Sequence, residues 1–179
     1  MDVINRLKKL TKENIDFKIP ITLFLNQESL DNFLITASSN GYIEIIKILL
    51  DNGADIHACN DDALHCASKN GRTETVKLLL DRGANIHARN DYALRCASED
   101  GYTEIVKLLL DQGANIHAQN DYALRYASYY GHTGTVKLLL DRGADIHACN
   151  DFAFRWASEN GHTEVVKLLK EYMEKKNEI

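Results

Sequence analysis

The chain has 179 residues, with 21 Lys plus Arg against 26 Asp plus Glu and a formal charge of −5. That mild acidity disfavours non-specific attraction to nucleic-acid phosphates or anionic membrane surfaces. No apolar stretch approaches the roughly 20 residues a membrane helix requires; the nearest, Ile19 to Leu25, is short and contains Pro20. No long apolar run ending in small residues opens the chain, so a secretory signal is not expected. Cys59, Cys66, Cys96 and Cys149 show no disulfide-framework spacing. Cys66 and Cys96 hold the same place in neighbouring copies of a repeat, where stacked helices lie about 8–10 Å apart, beyond the roughly 7 Å that a bridge spans. Reduced thiols and a cytoplasmic location are expected.

In chain order, Ile4, Leu7 and Leu10 fall on one helical face, and Asn14-Ile15 echoes Asn85-Ile86. Residues 1–29 are therefore read as a capping segment, within which Lys18 to Ser29 fit no repeat. A thirty-residue sentence follows, at 30–59, 60–89, 90–119 and 120–149; a fifth copy, 150–179, loses the pattern after Leu169 and ends in a charged tail. Copies of this length cannot each bury an apolar face alone, so an all-α solenoid with one shared, elongated core is expected.

One copy shows the construction. Asp91 precedes Tyr92 to Glu99, with small or apolar residues at Ala93, Leu94, Cys96 and Ala97, of which Ala93, Leu94 and Ala97 share a helical face; Asp91 is the expected N-cap. Gly101 ends that helix and Gly113 the next, whose apolar surface is Ile105, Val106, Leu108, Leu109 and Leu110. Ala114 to Asp121 is expected to be an extended link anchored by Ile116. Helices this short are not stable alone in water, so packing between copies must hold them.

The ladder ALRxAS, then G-x-T-E-x-V-K-L-L-L, then G-A-[DN]-I resembles the ankyrin repeat across residues 30–170. The resemblance implies helix–turn–helix units joined by hairpin fingers in a right-handed solenoid, acting as a protein-recognition scaffold. The period is shorter than the usual unit of about 33 residues, and the shortfall lies between Ala88 and Leu94, so blunted fingers are expected. This short variety is similar to the expanded ankyrin proteins of giant DNA viruses of amoebae. The histidine of the family's T-P-L-H survives as His65 alone; Arg95, Arg125 and Arg155 replace it, and i, i+4 pairs Asp91–Arg95, Asp121–Arg125 and Asp151–Arg155 are expected instead.

Three rows invite chemistry and are read as structural. His57, His87, His117 and His147 recur once per copy, too far apart for the ligand set of a zinc ion, and are expected to satisfy backbone groups. His65 and Cys66 are adjacent on a helix and so do not face each other. Lys47, Lys77, Lys107, Lys137 and Lys167 form a solvated row, and Glu44, Glu74, Glu104 and Glu164, each three residues before a lysine, are expected to pair with it. No cofactor, metal or catalytic constellation is expected.

Variation against the repeated background carries the functional signal. The fingers vary at Cys59, Arg89, Gln119 and Cys149, with Asn32, Asp62, Tyr92, Tyr122 and Phe152 nearby, and aromatic residues gather late. Tyr126 and Trp156 are read as packing. The expected activity is non-catalytic binding of a protein partner in a virus–host setting, by a monomer that engages neither nucleic acid nor membrane. The partner is expected on the concave face through Tyr92, Tyr122, Tyr129 and Tyr130, with Arg89 and Gln119 at the rim. Rival readings are a ubiquitin-ligase substrate adaptor, a metal or enzymatic protein, and a spacer without a specific partner.

Overall fold

Apolar residues three and four apart, punctuated by glycine, dictate short amphipathic helices in pairs. The computed structural model describes residues 26–177, and the chain divides into two units, Met1–Asn85 and Ile86–Ile179. The expectations for Ile4, Leu7, Leu10, Asn14-Ile15 and residues 18–25 fall outside the described residues. Among those described there are ten helices and no strand.

In the first unit, helix α1 (Gln27–Asn40) pairs with α2 (Ile43–Asp51), and α3 (Ala58–Lys69) with α4 (Thr73–Asp81). Asn26 caps α1 by accepting from the Ser29 amide at 2.9 Å. In the second unit, α5 (Ala88–Glu99), α7 (Ala118–Tyr129) and α9 (Ala148–Glu159) pair with α6 (Thr103–Asp111), α8 (Thr133–Asp141) and α10 (Thr163–Asn177). Within each unit every first helix packs on its own partner and on the first helix of the adjoining copy.

The burial follows columns of equivalent residues. Leu34, Leu64, Leu94 and Leu124 on the first helices are at most 1% exposed, and Leu49, Leu79, Leu109, Leu139 and Leu169 on the second are at 0%. Ala37, Ala67, Ala97, Ala127 and Ala157 are also at 0%; a methyl there lets neighbouring first helices approach closely. Fully burying a leucine stabilises by about 1.5–3 kcal/mol, so each column outweighs the polar contacts described below.

The link between copies is not extended. Cys59-Asn60-Asp61, Arg89-Asn90-Asp91, Gln119-Asn120-Asp121 and Cys149-Asn150-Asp151 all have φ between +51° and +58°. Each is a left-handed turn of three consecutive residues leading into the right-handed helix. Asn and Asp are the non-glycine residues that enter this region at least cost. This turn replaces the finger and accounts for the short period.

The turn also redirects the aspartates. A helix N-cap needs extended backbone, and Asp91 has φ +54°. Its carboxylate instead accepts from the Asn115 amide at 2.8 Å and from His87 Nδ1 at 3.0 Å, and the residue is 5% exposed. Asp61 takes the Asn85 amide and His57, and Asp121 the Asp145 amide and His117. The histidine row therefore serves carboxylates and not, as expected, backbone groups. An ionised carboxylate only accepts, so each imidazole carries its proton on Nδ1. The glutamate–lysine pairing occurs between Glu44 and Lys47 at 2.8 Å; among the described residues the later copies do not form it.

Adjoining copies are tied at the helix ends. Within the second unit, His132 Nε2 donates to the Glu99 carbonyl and His162 Nε2 to that of Tyr129, both at 2.8 Å. Arg72 Nε makes the equivalent bond to Ser39 in the first unit, at 3.1 Å. The histidine ring lies against Gly131 so closely that a Cβ there would stand 2.5 Å from His162 Nδ1.

Candidate functional site

The left-handed turns set the course of the arginines. With Asp91 engaged elsewhere, Arg95 folds back over the turn, its Nε and Nη2 donating to the carbonyls of Asn90 and Arg89 at 3.2 and 3.1 Å. Arg125 does the same to Asn120 and Gln119 at 2.8 and 2.9 Å. The expected Asp91–Arg95 and Asp121–Arg125 pairs are thus replaced by bonds from each guanidinium to the carbonyls of its left-handed turn. Arg155 stands exposed at the same register, without a hydrogen bond or ion pair among the described residues.

Tyr or Phe three residues before each arginine brings a ring alongside it, since i and i+3 share a helix face. Arg95 Cζ lies 4.9 Å from the Tyr92 ring and 5.1 Å from that of Tyr122. Arg125 Cζ lies 5.8 Å from Tyr122, 5.8 Å from Tyr126 and 5.1 Å from Phe152. Guanidinium and ring thus alternate along the first helices of the second unit, an arrangement the ring quadrupole favours.

Towards the helix C-termini the rings meet each other. Tyr122 stacks on Tyr126 at 4.0 Å, Tyr126 on Phe152 at 6.0 Å, and Phe152 on Trp156 at 5.2 Å. Tyr129 sits 5.3 Å from Trp156 and edge-on to Tyr130 at 4.8 Å. Tyr130, one residue past α7, is 47% exposed, whereas Tyr122, Tyr126, Tyr129, Phe152 and Trp156 are half-buried. Burial, then a 2.9 Å hydrogen bond to Glu99, holds the Tyr122 hydroxyl pKa well above the ordinary phenol value.

Of the residues singled out in the sequence, Tyr122, Tyr129 and Tyr130 join this cluster. Tyr92 meets it through Arg95, and Arg89 and Gln119 lie exposed in the turns whose carbonyls Arg95 and Arg125 cap. Tyr126 and Trp156 pack, as expected of them, but within the same aromatic surface. Arg95 and Arg125 were not singled out as site residues; their signal was the recurring ring-x-x-Arg at Tyr92–Arg95, Tyr122–Arg125 and Phe152–Arg155. Cys66 and Cys96 occupy the place of Tyr126 and Trp156, with the Cys66 thiol 3.9 Å from Asp62 Oδ2. Among the described residues no group of three or more His, Cys, Asp or Glu side chains is placed to hold a metal ion, and no helix is long and apolar enough to cross a membrane.

The face offers rings, guanidinium N–H groups and exposed turn residues, the materials of recognition. The family model for ankyrin repeats in sets of three copies matches residues 5–90, 34–120 and 87–150. No curated protein matches the chain. The paired helices, the columns of leucine and alanine, and these three overlapping matches lead to one conclusion: the chain belongs to the ankyrin-repeat family.

Proposed function

We propose that this protein is a non-catalytic interaction scaffold that holds a protein partner on the first-helix face of its second unit. Ankyrin repeats are in general protein–protein interaction modules, typically without catalytic activity. The observation that supports this face is the half-exposed aromatic cluster of Tyr122, Tyr126, Tyr129, Tyr130, Phe152 and Trp156 beside Arg95 and Arg125. Aromatic residues and arginine are the side chains that most often dominate binding energy. Tyr129 and Tyr130 form its centre, Tyr92 and Tyr122 its flank, and Arg89 and Gln119 its rim. The concave side of the repeat array is where this reading places the partner. The short repeat favours a virus–host setting in the cytoplasm and a monomeric protein.

The test compares wild type with the double variant Tyr129→Ala/Tyr130→Ala in quantitative affinity purification from the native cell. The reading expects at least one protein recovered with wild type to fall about tenfold or more with the variant, as loss of two interface anchors implies, while the melting temperature changes little. Identical recoveries, or an unfolded variant, would remove these tyrosines from the site.

A further inference from the structure

We infer that the partner segment held on this face is an extended acidic peptide in polyproline II conformation, with a carboxylate at every third residue. The inference rests on the docking face proposed above and deepens it.

Charge complementarity carries the argument. Arg95 and Arg125 are the two cations woven between the rings, and neither forms an ion pair with any carboxylate among the described residues. Asp91 and Asp121, the nearest acids in sequence, are committed to backbone amides and histidines, and Glu99 accepts from Tyr122. Each guanidinium has five donors and spends two on the turn carbonyls, so donors remain for a ligand. Arg155 adds a third positive charge at the same register, fully available.

Spacing then selects the conformation. The Tyr122 ring centroid lies 5.1 Å from Arg95 Cζ and 5.8 Å from Arg125 Cζ, so these two charges are no more than about 11 Å apart. Packed helices repeat at about 8–10 Å. A polyproline II chain rises about 3.1 Å per residue with three residues per turn, so residues i, i+3 and i+6 lie on one side about 9 Å apart. Carboxylates at that interval meet Arg95, Arg125 and Arg155 in turn, and the intervening residues lie on the Tyr122, Tyr126 and Phe152 rings, as polyproline segments do in aromatic-lined grooves. A single-stranded nucleic acid also pairs anions with rings, but the net charge of −5 disfavours it.

Fluorescence anisotropy with the full chain tests this, using four labelled probes. They are a peptide of three Glu-Pro-Pro triplets, a peptide of the same composition with its glutamates adjacent, the triplet peptide with Gln for Glu, and an oligothymidine. The triplet peptide is expected to bind tightest, with the other two peptides weaker by about fivefold or more, from the value of exposed ion pairs. Arg155→Glu, which removes no internal contact, is expected to weaken the triplet peptide about fivefold at unchanged melting temperature. Equal binding of the three peptides, no peptide binding, tighter binding of the oligothymidine or indifference to Arg155→Glu each overturns the inference. If no peptide binds but Tyr129→Ala/Tyr130→Ala still loses a partner, the face stands and the peptide class falls. If both experiments are negative, the docking face falls as well.

Discussion

Each unit has an interior built from the same residue types, and the two differ in what they show. In the first, the positions facing outward from the first helices are Asn32, Ile35, Asp62 and Cys66, and His65 is buried. In the second, the same registers carry Tyr92, Arg95, Tyr122, Arg125, Tyr126, Phe152 and Trp156, which form a continuous ladder of rings and guanidiniums. Beneath both lie the same leucines, alanines and carboxylate–amide bonds. The difference teaches that the invariant letters build the interior of each unit, while the variable ones set the chemistry of its outward positions.

That separation can be broken at several levels. Leu49→Ala and Leu109→Ala remove equivalent, fully buried side chains, so each is expected to cost about 2–5 kcal/mol in urea unfolding. A markedly smaller cost in one unit would show that the interiors are not equivalent. Glycine contacts distinguish the units instead. Gly131 and Gly41 share φ near +80°, but an added Cβ meets the His162 ring at 2.5 Å in one case and the flexible Arg72 stem at 3.1 Å in the other. Both alanine variants carry the left-handed penalty of about 1–2 kcal/mol, and Gly131→Ala is expected to lower the melting temperature further. Equal losses would mean that the histidine moves aside freely.

Asp61→Ala and Asp121→Ala should cost alike, about 1–3 kcal/mol each, because each deprives a backbone amide of its acceptor. Hydrogen exchange at the Asn85 and Asp145 amides reads this directly, and unchanged protection would refute it. The smallest effect belongs to the face itself. The pKa of Tyr122 is raised by burial and by Glu99, so its neutral form is the one the fold prefers. Its contribution is complete below the unfolded value of about 10 and diminishes as pH climbs from there towards the folded value. The gap in melting temperature between wild type and Tyr122→Phe should therefore narrow between about pH 9 and pH 11; a constant gap would contradict the sign.

Much of the fold was legible because apolar spacing and glycine placement are local, repeated signals. Periodicity alone places Leu94, Ala97 and Leu109 in the core, and all three are buried. The link was not legible. Asn-Asp before a helix reads as a cap, and only the structure, with φ +54° at Asp91, shows that its carboxylate turns away to the Asn115 amide. An aspartate free to pair would take Arg95, whereas one committed to a backbone amide leaves that arginine to the turn and the rings. The tyrosines could be named from their variability. Their mutual stacking could not, since it depends on how closely the alanine columns let neighbouring first helices approach.

The spacing of the bonds at the left-handed turns and at the helix ends has an evolutionary corollary. Asp91 closes on a residue 24 positions ahead, inside its own copy, and His132 reaches a carbonyl 33 positions behind, in the copy before. Duplicating or deleting a block of thirty residues, or a multiple of thirty, preserves every such pairing, while lengths out of that register sever them. Such an array can grow or shrink by whole units without devising a new junction, which leaves the outward letters of each new unit free to drift.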